Sequence, residues 1–380
     1  VALSGSITYT GTVPGYVGRV LGYYQTSGAY AVSVLEKNLA NSAITLSGDT
    51  VTGTATNQNG ADTSAAELAQ QGTYEGIGWS FDTDWTFDKT LGHPVPKYVR
   101  VGDRPNRITA TFTADSSTER SFTWYSDLTS DTAQVQVSTA KDLAGAATAT
   151  ATRGTGLAGE NFYKATITGL NPGERYYYRV GYPAMGVWSS MGTFLTSDGH
   201  SDFSFVDIAD TQAQNVSEAA LSAATIAKSL SAVPSAQFLL QNGDLVEHGG
   251  TESDWQNLLN SAQDSLQSTT IAPAAGNHDA ATNGFINHFA LPSPNGQGTS
   301  AGDYYSFTYN KAHFVVLNTN EDASQNLSGD QLAWLRSDVT SARKNGARWV
   351  IVNMHKGPFT TGNHADDADI IAMRTALLPV

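Results

Sequence analysis

The 380 residues include no cysteine, so neither a disulfide framework nor a thiolate metal site can form. Charge is scarce, with only 15% of residues charged. The 21 Lys and Arg are outnumbered by 35 Asp and Glu, giving a formal net charge of −14, and no basic run occurs. The chain therefore carries no electrostatic footprint for a nucleic-acid backbone. An acidic protein still holds an anionic substrate where bound cations supply the local positive charge. No run of 18 apolar residues occurs, so no segment reads as a membrane-spanning helix. The chain opens at Val1 with no basic-then-apolar leader, which reads as a processed or excised piece of something longer.

What is present is β-forming. Ser, Thr, Asn and 36 glycines separate β-branched and aromatic stretches, and the length implies two or three domains. Residues 1–95 read as a β-rich module of unassigned role, with "SGSITYTGTV", "AITLSGDTVTGTAT" and "GWSFDTDWTFD" as strands between turns. The stretch "TYEGIGWSFDTDWTFDKTLGHPVPKY" resembles the end of Gly-rich repeat modules of bacterial surface proteins, and Pro94 and Pro96 mark its boundary. Residues 97–197 alternate in short strands with turn signals between them, the pattern of a β-sandwich. Within them, "ITGLNPGERYYYRV" resembles a fibronectin type III domain, whose Leu-x-Pro and alternating Tyr fall on Leu170, Pro172, Tyr176 and Tyr178. Those tyrosines read as packing residues.

From Phe203 the pattern changes. Over residues 201–380 short apolar strands alternate with helical stretches, predicting an α/β domain with covered sheets. Ser328 and Gln331 fit a capping box at the start of one helix, and Gly346 fits its stop. Four strands end in ligand-type residues: Asp207, Asp210 and Gln212; Asn242, Asp244, Glu247 and His248; Asn277, His278 and Asp279; Asn353 and His355. Ligand sites of open α/β sheets form beyond the carboxyl ends of strands. Carboxylates, amide oxygens and imidazoles gathered there are donors for hard or borderline metals. Any one of these motifs is an ordinary polar turn; four in a fixed order after four strands are poorly explained by chance.

Asp210, Gly243-Asp244, Gly276-Asn277-His278 and His355 in "VNMH" resemble the first four motifs of calcineurin-like metallophosphoesterases. The sandwich before them brings the resemblance closer to the purple acid phosphatase branch. It covers about residues 97–380 and implies a four-layer α/β domain around two divalent or trivalent metal ions (Fe, Zn or Mn). Carried over, Asp244 bridges the two metals, Asp210 binds the first, and Asn277 and His355 bind the second. His278 and His364 face the phosphate as catalytic groups, and Asp279 orients His278. The implied reaction is phosphate-ester hydrolysis by metal-activated water.

The match departs from the family in three places. Glu247 stands where purple acid phosphatases have the tyrosine of their coloured iron site, and becomes a candidate ligand or supporting group. Gln212 stands where other members have a histidine. The closing Gly-His-x-His motif has no counterpart, since no histidine follows His364. The domain therefore reads as truncated, or as completed by a separate C-terminal polypeptide. The composition suits a secreted or cell-surface bacterial protein acting on a phosphate-ester small molecule or surface polymer. A surface binding or adhesion protein with a degenerate phosphatase domain is the competing reading.

Overall fold

The computed structural model describes residues 6–7, 20, 36–46, 49–81, 85–88, 92–96, 103–200, 202–280, 282–294 and 298–380. The chain divides into two compact units, Val1–Tyr98 and Val99–Val380. The first holds short strands, among them the parallel pair Leu39–Asn41 and Ala61–Thr63 and the hairpin of Trp85–Asp88 with His93–Pro96. Of the expected strand "SGSITYTGTV" only Ser6 and Ile7 lie within the described residues, and they pair with Thr45–Leu46. Two helical turns not foreseen from the sequence, Ala65–Leu68 and Gln71–Glu75, interrupt the β pattern. The first is started by a full capping box in which the Ser64 and Glu67 side chains each bond the other's backbone N–H.

The second unit begins with nine strands: β1 (Asn106–Thr111), β2 (Arg120–Ser126), β3 (Gln134–Ser138), β4 (Ala147–Thr150), β5 (Thr152–Thr155), β6 (Asn161–Ile167), β7 (Arg175–Tyr182), β8 (Val187–Trp188) and β9 (Gly192–Leu195). They form two antiparallel groups, β5-β6-β2-β1 and β4-β3-β7 with β8 and β9. One apolar core draws on both, with Trp124, Tyr163, Tyr178 and Tyr182 buried in it. Tyr176 and Tyr178, the tyrosines expected to pack, are buried, while Tyr177 between them is not.

Parallel strands follow: β10 (Ser204–Ile208), β11 (Ala236–Gln241) and β12 (Thr270–Pro273). They extend the first group into one seven-stranded sheet, because β12 pairs β1 at Ile271 and Thr111. A second sheet of β13 (Tyr305–Tyr309), β14 (Ala312–Leu317) and β15 (Trp349–Met354) faces it. Phe112, Phe238, Phe307 and Phe314 fill the space between, several edge-to-face. The outer face of the first sheet is covered by α1 (Val216–Ala232), α2 (Glu252–Ser261), α3 (Gln263–Leu266) and α4 (Gly284–His288). That of the second is covered by α5 (Gly329–Lys344) and α6 (Ala368–Leu377). Helix, sheet, sheet and helix make four layers.

The α5 start departs from expectation in one respect. Ser328 Oγ accepts from Gln331 N at 3.2 Å, but the Gln331 side chain does not return to the cap. It is buried and bonded to Asn318 and Glu321 instead, so only half of the expected box forms. Gly346 has φ +90°, as a helix stop of that kind requires.

One buried acid makes stability pH-dependent. Burial pushes Asp303 up to about 6, against the pull of hydrogen bonds and the Lys164 ammonium. The unfolded chain ionises it near 3.8, so folding loses stability as pH rises from about 4 to about 6. The shift of roughly 2 units corresponds to about 3 kcal/mol. Asp303→Asn should therefore match the wild type in urea unfolding at pH 4 and exceed it by about 2–3 kcal/mol at pH 7. Equal stability differences at the two pH values would refute this.

Candidate metal centre

The carboxyl ends of β10, β11, β12 and β15 point toward one place, and their loops are zipped together. Asn242 N donates to Ile208 O at 2.8 Å, Asp210 N to Gly243 O at 3.0 Å, and Gln212 N to Asp244 O at 2.9 Å. This geometry forces unusual backbone. Asp210, Gln212 and Asp244 have φ of 57°, 36° and 52°, three of the eight non-glycine residues with positive φ among the described residues. Each such residue costs on the order of 1 kcal/mol, and strain of this kind concentrates at functional sites. Glycines permit the closest approaches. A Cβ on Gly276 would lie 2.1 Å from the Asp244 backbone nitrogen, and one on Gly243 would lie 2.7 Å from the His355 ring.

Among the described residues, Asp210, Asp244 and His355 offer ligand atoms that all lie within 4.8 Å of one another. Asn277 joins them, its Oδ1 3.1 Å from His355 Nε2, which is also 3.2 Å from Asp244 Oδ2. The other ring nitrogen, Nδ1, lies 3.0 Å from the Asn242 carbonyl. A carbonyl only accepts, so Nδ1 carries a hydrogen and Nε2 is the nitrogen turned toward the oxygens, where a cation would take the place of its proton. An imidazole that donates one N–H to a backbone carbonyl while presenting its other nitrogen is arranged as metal-binding histidines are. The donor set of two carboxylates, an amide oxygen and an imidazole thus fits a metal.

Without a cation the carboxylate and imidazole hold each other. Burial opposes the shift, but the bond to His355 and the His278 N–H at 2.9 Å bring Asp244 below the usual carboxylate range. His355 is raised, again against burial, by its bond to Asp244 and by the neighbouring negative charge.

A cavity of about 650 Å³ opens beside this group, lined by Asp210, Asn277, His355, Lys356, His364 and Asp367 among others. His364 reaches it from a loop with its side chain 79% exposed, Nδ1 2.7 Å from Asp367 Oδ2. His278 sits on the other side, Nδ1 3.0 Å from the Glu247 carbonyl and 3.4 Å from the Glu247 carboxylate. Glu247 and Gln212, the two candidates for extra ligands, are turned toward each other at 3.5 Å, and Glu247 stands outside the group of Asp210, Asp244 and His355. Asp207 is likewise occupied elsewhere, accepting from the Asn242 amide at 2.8 Å.

The expected role of Asp279 needs correction. Its carboxylate does not meet the His278 ring. It is fully buried and accepts from the backbone N–H groups of Leu245, Val246 and Gly276 at 2.9–3.1 Å. Burial, partly offset by these donors, pushes it up to about 7. Asp279 therefore ties the Gly-Asn-His loop to the Gly-Asp loop, and the Glu247 backbone orients His278.

Sequence reading passed over Gln241, Lys356 and Asn320. Gln241 bonds both the N–H and the carbonyl of Gly243, fixing the turn that delivers Asp244. Lys356, next to His355, is held by Asn326 Oδ1 at 2.9 Å. Asn320 bonds the carbonyls before Asn277. The signal for Asn320 was its place after the strand "HFVVLNTN", a polar strand end like the other four.

Residues 105–196 match the family model of the purple acid phosphatase N-terminal domain, and residues 194–376 that of calcineurin-like phosphoesterases. An uncharacterised Mycobacterium tuberculosis protein is 28% identical over 166 residues, covering 38% of this chain and 31% of that protein. Purple acid phosphatase 15 of Arabidopsis thaliana is 22% identical over 216 residues, covering 50% of this chain and 40% of that enzyme. Among solved structures, purple acid phosphatase PPD1 from yellow lupin seeds shares the fold, with a TM-score of 0.57 and 14% identity over 68% of this chain and 52% of the lupin chain. The chain thus spans less than half the length of these curated relatives and about half of the lupin protein.

Proposed function

Over residues 105–376 the chain is a purple acid phosphatase-like calcineurin-type metallophosphoesterase, and from that premise we propose that it hydrolyses phosphate esters with two metal ions held at Asp210, Asp244, Asn277 and His355. The observation that carries this reading is the His355 ring, pinned by the Asn242 carbonyl with Nε2 turned toward Asp244 and Asn277. Two bound cations would clamp the phosphate and lower the pKa of a water between them.

The chain's own residues do the rest. Asp244 lies centrally, with two oxygens to share between two cations, and Asn277 contributes a neutral oxygen that keeps the site cationic enough for phosphate. Because the Glu247 carbonyl accepts from Nδ1 of His278, the exchangeable proton sits on Nε2. With Nδ1 held by the Glu247 carbonyl and 3.4 Å from its carboxylate, Nε2 is the nitrogen left to offer a hydrogen to a leaving oxygen. His364 lines the same cavity, which supports reading it as a contact to the phosphate. The low charge and Ser/Thr/Asn-rich strands support a reading in which the protein acts outside the cell, secreted or at a bacterial surface.

The test uses the full natural protein, stripped with chelator and reloaded with Mn, Zn or Fe. About two metals per chain and metal-dependent hydrolysis of p-nitrophenyl phosphate or its diester are expected. Native protein that binds no metal and hydrolyses neither reporter would instead point to a binding protein with a degenerate site.

A further inference from the structure

We propose that Asn320 is a positioning residue for the Asn277 ligand, acting through the peptide that precedes it. The inference rests on the reading of Asn277 as a metal ligand. Asn277 sits on a loop whose N-terminal side is held from the opposite sheet. The Asn320 side-chain amide donates to Ala275 O and Gly276 O, both at 3.2 Å, and to Asn318 Oδ1 at 2.9 Å. The Gly276 carbonyl belongs to the peptide unit whose nitrogen is that of Asn277. Fixing the plane of that unit fixes the direction in which the Asn277 side chain leaves the backbone.

Asn320 is itself held stiffly. Its N–H donates to Asn318 Oδ1 at 3.1 Å, which closes a turn directly after β14. Asn318 is fully buried and exchanges two backbone bonds with the Gln331 side chain, 2.9 Å in each direction. Gln331 lies in the first turn of α5, so the strut runs from the helix start through two asparagines to the ligand loop. This accounts for the missing half of the α5 capping box: the Gln331 amide is used here. On its other side the same loop is tied by Asp279, so it is gripped from both sheets.

The loop has little room to adjust by itself. Gly276 already packs against Asp244 so closely that no side chain fits. A loss of the Asn320 clamp therefore shows as rotation of the Gly276–Asn277 peptide. Rotation moves the Asn277 oxygen away from His355 while leaving Asp210 and Asp244 in place. Supporting groups of this kind change metal affinity by roughly 10–100-fold.

Two measurements test the proposal on the full chain. The first is hydrogen exchange of metal-free wild type and Asn320→Ala. Faster exchange at the N–H groups of Gly276 and His278, by about tenfold or more, is expected, with the core of β11 and β14 unchanged. The second is Mn(II) titration followed by electron paramagnetic resonance. Asn320→Ala should weaken one Mn(II) site by 10–100-fold and spare the other, and Asn320→Gln, which keeps the donor, should recover part of the loss. Asn320→Asp should be as poor as alanine, since a carboxylate offers these carbonyls no hydrogen. Unchanged exchange in the 275–279 loop, or equal Mn(II) affinities with the wild type, overturns the inference. A wild type that takes up no Mn(II) while the exchange difference persists removes the proposed function and leaves the clamp standing.

Discussion

Asp244→Asn is expected to lower phosphate-ester hydrolysis by roughly 10³-fold or more while the protein stays folded. Asp244 is the side chain through which the other donors meet. Its Oδ2 lies 3.2 Å from His355 and its Oδ1 accepts the His278 N–H at 2.9 Å. The amide of asparagine keeps the shape and one acceptor oxygen, so the loop contacts survive. It removes the negative charge and the second oxygen, both of which the proposed bridge between two cations would need. Metal-derived stabilisation of the transition state amounts to several kcal/mol, and about 1.4 kcal/mol is a factor of ten in rate.

The measurement is turnover of p-nitrophenyl phosphate at saturating metal, with metal content and thermal unfolding recorded on the same samples. The variant should melt within a few degrees of the wild type. Retention of a tenth of the rate, with two metals still bound, would show that Asp244 does not bridge them. Asp207→Asn is the matched control. Asp207 bonds only the Asn242 amide and stands apart from the donor group, so most of the rate should remain.

The donor residues were legible in the sequence because each follows a short apolar strand, and parallel strands bring their carboxyl ends to one edge. What aligns them there is a matter of register. β10, β11 and β12 pair in step, Ile208 with Gln241 and Gln241 with Pro273, so their next residues emerge side by side. The role of Asp279 was misread for a physical reason. It follows His278 directly, and adjacency in sequence suggested a pair. The loop turns so tightly around Gly276 that the two side chains diverge, one into the protein and one to the cavity side. Glu247 illustrates the converse. It appeared as a candidate ligand by position, yet its carboxylate lies against His278 and Gln212, and its backbone carbonyl does the orienting. Backbone contacts leave no residue-type signature, so pattern reading cannot find them. The continuous sheet is another such case. Strand pattern alone separated residues 97–197 from 201–380, whereas the pairing of Thr111 with Ile271 depends on two segments 160 positions apart.

The junction between those segments carries the largest expected effect on stability. Arg107, at the start of β1, is buried with its guanidinium against Glu160 at 3.2 Å and in a short contact with Glu252 of α2. Glu252 also meets His288 Nε2 at 3.0 Å, and His288 Nδ1 lies 2.8 Å from the Gly284 carbonyl. The ring is stacked between Trp255 and Tyr125 at 4.8 and 4.5 Å, and the guanidinium covers the other face of Tyr125 at 4.1 Å. Burial opposes it, but His288 and Arg107 hold Glu252 below its usual range, so its contribution is present above about pH 4.5 and is lost on acidification. Arg107→Met removes the cation that Glu252 and Glu160 share and leaves the two carboxylates near each other with little access to water. Breaking a buried pair in this way costs about 3–5 kcal/mol. For a unit of this size that is a fall of roughly 10 °C in Tm. Replacing Arg107, Glu160 and Glu252 together by apolar residues should recover part of the loss, since no guanidinium or carboxylate is then stranded and only His288 Nε2 loses its partner. Urea unfolding of the single and triple variants at pH 7 decides the matter. A loss below 1 kcal/mol for Arg107→Met would mean that solvent reaches the junction and that residues 105–196 and the phosphoesterase part are joined chiefly by the apolar core and the β1–β12 pairing.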